Sequence, residues 1–201
     1  MTGTPTIPGV TLQLGLPDHL RADAVRLYWQ AFGSKLGLVL GPETRALTLL
    51  HRAMRADQVI IALSGDGRLL GIAGFKTPKG SFASGQPQDM RAVYGVWGAY
   101  WRQTVLGWLS DGVDNDRFLL DGLCVDAASQ GQGLGSALLS AITAEARLRG
   151  YTAIRLEVID RNTHAIALYE RRGFAVTTRQ NIGILRWVFK FSAALTMVKP
   201  L

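Results

Sequence analysis

The chain has 201 residues and a mass of 21.8 kDa, enough for a buried core, and we expect a single domain over residues 1–201. Its composition, 48% hydrophobic and 18% charged, excludes a disordered chain, and its one cysteine excludes a disulfide framework. With only three histidines besides, no metal site is expected. The net charge of +7 suggests an anionic partner, but without a Lys/Arg run we consider nucleic acid an unfavoured one.

The N-terminal residues lack the charged and apolar regions of a signal peptide. The most apolar stretch, 92–110, carries Arg102 at its middle, and a charge at the centre of a bilayer costs about 2.5–3.5 kcal/mol. We therefore expect a cytoplasmic protein with no membrane partner.

Helical and strand patterns alternate through the first half of the chain. In chain order the predicted elements are a strand over 10–16, a helix over 20–32, a glycine-punctuated loop over 33–42, a helix over 42–55, a hairpin of strands 58–63 and 68–75, and a loop over 76–89.

Apolar residues then recur at helical spacing from Val93 to Leu109, which predicts a helical insertion at about 90–110. Three tryptophans lie on this apolar stripe. We expect the stripe to pack on the core; the alternatives are a wall of an acceptor pocket or a contact in a homodimer.

The second half alternates strictly between strands and helices, which predicts an α/β fold with a mixed sheet. The predicted elements are a strand over 118–125, a helix over 134–149 ended by Gly150, a strand over 153–159, a helix capped by Asn162 and closed by Gly173, a strand over 174–178, a loop or short helix over 181–191, and a last strand over 194–199.

Residues 130–136 form a glycine-rich loop between a predicted strand and a predicted helix. Such a loop turns backbone amides toward a phosphate or pyrophosphate, and the helix N-terminus adds positive charge. No lysine follows the last glycine, which excludes a Walker loop. Gly131, Gly133 and Ser136 fit a Rossmann fingerprint with Glu157 downstream, but too few residues follow to complete that domain.

The order Gln130-x-x-Gly133-x-Gly135 after a strand resembles the acetyl-CoA loop of the GNAT superfamily of N-acetyltransferases. A second segment resembles the family's other motif, at its usual distance: Asn162-x-x-Ala165-x-x-Leu168-Tyr169-x-x-x-Gly173-Phe174. Clear resemblance covers residues 119–174. It implies a mixed, mostly antiparallel twisted sheet, flanked by helices and splayed at the acetyl-CoA cleft.

The resemblance also implies the activity: transfer of an acetyl group from acetyl-CoA to a primary amine, by direct attack on the thioester. Two alternatives stay open, a non-catalytic acetyl-CoA-binding regulatory module and a basic nucleic-acid-binding protein. By resemblance, the residues that contact acetyl-CoA are Leu123, Cys124, Val125, Gln130, Gly131, Gln132, Gly133, Leu134, Gly135, Ser136, Asn162 and Tyr169.

Tyr169 matches the position of a family tyrosine that meets the CoA sulfur, which implies a general acid. Asp121 is the first candidate for the base, because strand alternation would put its side chain on the same face as Leu123 and Val125. Glu157, on the neighbouring strand, is the second candidate. An amine that arrives neutral would need only an ordered water.

Cys124 offers an acyl-cysteine route, but alternation points it away from the face of Leu123, and an isolated strand cysteine is usually a buried hydrophobe. His19, His51 and His164 have no motif context. We therefore do not expect a covalent intermediate.

The acceptor amine, small molecule or peptide, is expected to contact residues 28–42, the 92–110 helix and the segment near Trp187. The aromatic insertion favours an acceptor with an apolar part over a polyamine. Arg171 and Arg172 are candidates for the phosphates of CoA, although on a helix they could equally be solvated.

Overall fold

The computed structural model describes residues 7–83, 85–109, 117–183 and 191–201. Within them the strands are β1 (Val10–Leu14), β2 (Val59–Ser64), β3 (Leu69–Thr77), β4 (Gly80–Ser81), β5 (Phe118–Val125), β6 (Ala153–Ile159), β7 (Ala175–Asn181) and β8 (Ala193–Pro200). The helices are α1 (Arg21–Leu40), α2 (Glu43–Ala53), α3 (Pro87–Leu109), α4 (Leu134–Leu148) and α5 (Thr163–Arg171).

The strands form one sheet in the order β1-β2-β3-β5-β6-β8-β7, and the short β4 pairs with β3. Every pair among the described residues is antiparallel except β5 with β6, which is parallel. This confirms the predicted mixed, mostly antiparallel sheet flanked by helices.

The sheet opens between β5 and β6. The two strands pair only from Phe118 with Ile154 to Leu120 with Leu156. Beyond those three pairs β5 runs on to Val125 and β6 to Ile159 without pairing to each other. The predicted splay is therefore present, and its apex follows Leu120.

Each face of the sheet carries its own core cluster. On one face α4 and α5 pack through residues such as Leu138, Ile142 and Tyr169 against the strands. On the other face α1 and α2 pack through residues such as Tyr28 and Leu50. The gap between β5 and β6 therefore lies between two helical layers.

A β-bulge interrupts the β3–β5 pairing. Gly74 pairs with Gly122 and Phe75 with Leu120, so Asp121 has no partner of its own on β3. A bulge adds one residue and shifts the alternation of side chains. Leu120 and Leu123, three residues apart, consequently contact the same core cluster on the α4 face.

Helix α1 continues to Leu40, so the prediction of a loop over 33–42 is wrong for all but its last two residues. A Cβ at Gly33 would lie 2.8 Å from the ring of Trp29, and one at Gly37 would lie 3.7 Å from it. The glycines therefore make room on the helix for Trp29, one and two turns away.

The predicted helix near 90–110 is present, but the part of its apolar stripe from Val96 to Trp101 does not pack on the core. Gly95 is non-helical at φ 71° and ψ 176° and divides α3 into two parts. After this break the side chains of Val96, Trp97, Tyr100 and Trp101 are exposed. The buried face of α3 instead contains Met90, Tyr94 and Ala99, which pack with the end of α1 and with α2.

The other predicted elements match to within a few residues, and Gly150 and Gly173 take positive φ angles after α4 and α5 as expected. The loop 76–89 also contains β4. Residues 184–190, including Trp187, lie outside the described residues. None of the helices within the described residues combines the length and the apolar character that crossing a membrane requires.

Candidate active site

The glycine-rich loop leads from β5 into α4. Gly131 and Gly133 have φ angles of 77° and 84°, in the left-handed region that glycine adopts most readily. Gly133 is the N-cap of α4 and, lacking a side chain, supplies no cap hydrogen bond. Within the described part of the chain, the amides of residues 131–136 donate no hydrogen bond, so they are available to an anion at the helix N-terminus.

Two glutamines hold this loop against its own backbone. Gln130 Nε2 donates to the carbonyl of Val125 at 3.2 Å, and Gln132 Nε2 donates to the carbonyl of Ala128 at 3.3 Å. Their side chains therefore shape the loop, whereas its amides remain for a ligand.

The open edge of β5 presents backbone groups to the gap. The amide of Asp126 donates to the carbonyl of Leu70 at 2.8 Å, and the next pair along is Gly71 with Val125. In an antiparallel pair, hydrogen bonding alternates from residue to residue, so Leu123 and Val125 turn their amides and carbonyls away from β3. Contact of these two residues with acetyl-CoA, which the resemblance implies, stays a prediction.

Helix α5 packs against the first turn of α4. A Cβ at Gly135 would lie 3.1 Å from Leu168 and 3.7 Å from Leu123, so glycine permits this close approach. The side chain of Asn162 accepts a hydrogen bond from the amide of Ala165 at 3.3 Å, as an N-cap of α5. Its helix-capping role is thus present; contact with acetyl-CoA stays a prediction.

Tyr169 lies on α5, buried, with its ring 5.9 Å from that of Phe174. Burial raises the pKa of Tyr169 to about 12, and the nearby Cys124 thiol contributes in the same direction. The hydroxyl therefore keeps its proton at neutral pH, as a hydrogen-bond donor or general acid must.

Asp121 does not share a face with Leu123, and the expectation from simple alternation is wrong. Because of the bulge, its carboxylate lies on the α1 face, where the Ser81 hydroxyl and the Ala83 amide, the latter at 3.3 Å, both donate to Oδ2. Burial, followed by the charge of Asp121, raises the pKa of Tyr28 well above its usual value.

Glu157 is the next residue on β6 after the last β5–β6 pair, just as Asp121 is on β5. Leu156 and Val158 belong to the cluster on the α4 face, so Glu157 points to the opposite face, the same one as Asp121. Its carboxylate pairs with Arg155 at 2.9 Å. Both base candidates therefore flank the apex of the gap.

Sequence reasoning missed Ser81 and did not single out the rings of Tyr28 and Phe32. A Cβ on Gly122 would lie 3.3 Å from Tyr28 and 3.2 Å from Phe32, so both rings cover the strand beside Asp121. A glycine inside a strand is a known signal for such a close approach or for a bulge. Nothing in the sequence pattern marks Ser81.

Cys124 faces the α1 side, away from Leu123, and burial raises the pKa of its thiol. A buried thiol that keeps its proton is a poor nucleophile. The absence of an acyl-cysteine intermediate stays a prediction. Burial, followed by the charges of Arg147 and Arg172, lowers the pKa of Lys199. Contact of Arg171 and Arg172 with the phosphates of CoA stays a prediction.

A model of the acetyltransferase (GNAT) family matches residues 22–174 of the chain, about three quarters of its length. The chain belongs to the GNAT family. Over 67 residues it is 45% identical to the ribosomal protein bS18-alanine N-acetyltransferase of Escherichia coli K12. That match covers 33% of this chain and 45% of the E. coli enzyme, so it spans less than half of that relative.

Solved structures share the GNAT fold along nearly the whole chain. One acetyltransferase superposes with a TM-score of 0.62 at 19% identity, covering 94% of this chain and 98% of that one. The protein yncA of Salmonella typhimurium, solved with its cofactor acetyl-CoA, gives a TM-score of 0.59 at 19% identity, covering 96% of this chain and 94% of that one. At this identity the likeness concerns the fold.

The features of this GNAT domain fit acetyl-CoA. Six consecutive amides at the start of α4 suit a pyrophosphate, and the unpaired edge of β5 suits the amide groups of a pantetheine arm. Within the described residues, no three His, Cys, Asp or Glu side chains come close enough together to hold a metal ion.

Proposed function

We propose that this GNAT protein transfers the acetyl group of acetyl-CoA to a primary amine by direct attack on the thioester. The observation that carries the proposal is the gap between β5 and β6, which has the amides of residues 131–136 at its mouth and two carboxylates at its apex. Such a gap can hold two reactants in line, and positioning of that kind contributes about 7–11 kcal/mol to catalysis.

The two reactants approach the gap from opposite faces of the sheet. On the α4 side, the loop amides bind the pyrophosphate, and Leu123 and Val125 bind the pantetheine arm along the open edge. On the α1 side, the amine reaches the thioester past Tyr28 and Phe32, whose rings lie beside Asp121.

Asp121 accepts the proton of the attacking amine, directly or through water, as the C–N bond forms. Ser81 and Ala83 hold its carboxylate, whereas Glu157 is paired with Arg155 and is the second candidate. Tyr169 donates its proton to the sulfur, or a hydrogen bond to the thiolate, as the C–S bond breaks. Asn162 is proposed to contact the pantetheine while it caps α5.

We propose that the acceptor amine, on a small molecule or a peptide, carries an apolar group. The support comes from the rings of Tyr28 and Phe32 beside Asp121, whereas Trp97, Tyr100 and Trp101 of α3 are exposed to solvent. A single domain acting in the cytoplasm remains our expectation.

The test is a calorimetric titration with acetyl-CoA, followed by CoA release over a panel of amines: aromatic amines, spermidine and peptides with free N-termini. Micromolar binding, no binding of NAD, and acetylation of apolar amines would agree with the proposal. Binding without turnover of any amine would favour the non-catalytic regulatory module. Absence of acetyl-CoA binding at low salt would contradict both.

A further inference from the structure

The part of α3 after Gly95 exposes four large apolar side chains, whereas its one charged side chain, that of Arg102, is half-buried. Val96, Trp97, Tyr100 and Trp101 are 66%, 86%, 70% and 44% exposed. At 100° per residue these four fall within an arc of about 140°, which we call the outer face of α3. Monomeric proteins rarely leave so many large apolar groups together in water.

The opposite face of the same helix is fixed to the rest of the protein. Ala99 is buried there, and Arg102 donates to the carbonyl of Val39 at 2.8 Å and to that of Gly41 at 3.4 Å, both at the end of α1. The outer face therefore points away from α1. It cannot line the gap beside Asp121, which excludes the role of acceptor-pocket wall for these side chains.

The charge of the outer face indicates which kind of partner could cover it: a bilayer, a nucleic acid or a protein. Arg102 is the only charged residue from 92 to 109, and its guanidinium lies over the rings of Tyr94 and Trp101 at 4.0 Å and 4.3 Å. An anionic bilayer or a nucleic acid would require cations on the outer face. A neutral face of Trp, Tyr and Val instead has the composition of the core of a protein–protein interface and is complementary to itself.

The exposed area is of the size that a dimer needs. Trp and Tyr bury about 150–250 Å² each, so the exposed fractions of Trp97, Tyr100 and Trp101 amount to roughly 450 Å² per copy. Two copies would remove about 900 Å² from water through these three rings alone, close to the ~1,000 Å² of a specific interface. We infer that the outer face of α3 is the contact between two copies of this chain, whatever acceptor the chain acetylates.

The experiment is sedimentation velocity from about 1 to 100 µM on the wild type and on the double variant Trp97→Ser with Tyr100→Ser. The wild type should be a dimer with a dissociation constant below about 10 µM, and the double variant should dissociate at least 100-fold more readily. The matched control is Leu148→Ser, which removes an 83% exposed side chain from α4 and should leave the dimer unchanged.

A second measurement on the wild type does not depend on the folding of any variant. Amide hydrogen exchange across the same dilution series should show protection of residues 96–106 that falls as the protein is diluted. A wild type that is monomeric at 100 µM would overturn the inference. So would a dimer that persists in the double variant, or concentration-dependent protection confined to other segments.

Discussion

The two edges of β5 differ along the same few residues. Toward β3 the strand keeps six pairs, from Leu119 to Val125, whereas toward β6 it keeps only three, which end at Leu120. The closed edge anchors the strand in the core, and the open edge leaves backbone groups for a ligand. One strand is thus packed on one edge and unpaired on part of the other, with Asp121 at the boundary.

The largest effect is expected from a substitution that blocks the glycine-rich loop at the end of the open edge. Gly133→Glu places a carboxylate among the loop amides, where it repels a pyrophosphate and competes for the helix N-terminus. We expect acetyl-CoA to bind at least about 100-fold more weakly by calorimetry. The control is Gly150→Glu at the other end of α4, where φ is also positive, at 81°. Equal losses in both variants would mean that the loop is not the binding site.

The next largest effect is expected at Asp121, which lies on β5 directly after its last pair with β6. Asp121→Asn keeps the shape of the side chain but cannot take a proton, so kcat should fall by about 10²–10³-fold while acetyl-CoA affinity stays the same. Steady-state kinetics with calorimetry measures both quantities. Glu157→Gln serves as the comparison; a larger loss of kcat there would assign the base to β6 instead of β5.

Across the open edge, Tyr169→Phe should lower kcat by about 10- to 100-fold with little change in acetyl-CoA affinity. Because burial raises the pKa of Tyr169 to about 12, its hydroxyl carries the proton below that pH and loses it only above. A pH–rate profile should therefore show no loss from Tyr169 up to about pH 10. Tyr151→Phe, in the same core but beside Phe118, should have no effect on kcat. An alkaline limb near pH 8 that Tyr169→Phe abolishes would contradict the assignment.

The smallest effect is expected at Ser81 on β4, whose hydroxyl donates to the carboxylate of Asp121. Ser81→Ala removes one of two hydrogen bonds to Asp121, so we expect kcat to fall by about 3- to 10-fold. Ser81→Thr, which retains a hydroxyl, should recover most of this loss. Ser64→Ala is a matched control, since Ser64 donates to Asp66 in the β2–β3 turn. An unchanged kcat in Ser81→Ala would show that Ala83 alone holds the carboxylate.

The sequence predicted the elements around the open edge accurately, because their signals are local. Strands β5 and β6 are found at the predicted bounds, and α4 begins directly after the last left-handed glycine of the loop. Apolar runs, glycines and an Asn cap depend on neighbours within a few positions. The GNAT motifs lie in this same part of the chain.

The orientation of Asp121 could not be predicted from alternation, because a bulge depends on the pairing of two strands. Gly122 gave a hint, since glycine inside a strand often accompanies a bulge. The prediction of a loop at the glycines of α1 was wrong for a similar reason. Gly33 indicates a loop in isolation, but it is required by the ring of Trp29 one turn earlier. In α3, the period of the apolar residues predicted a helix correctly without indicating which side faces water.

The bulge has a consequence for how this chain can change in evolution. Loss of one residue between Leu120 and Leu123 would remove the bulge and restore plain alternation, and Leu123, Cys124 and Val125 would keep the faces that they occupy now. The residue lost would be either Asp121, the candidate base, or Gly122, which leaves room for the rings of Tyr28 and Phe32. A one-residue deletion could therefore preserve the packing of β5 on both faces and still change the site.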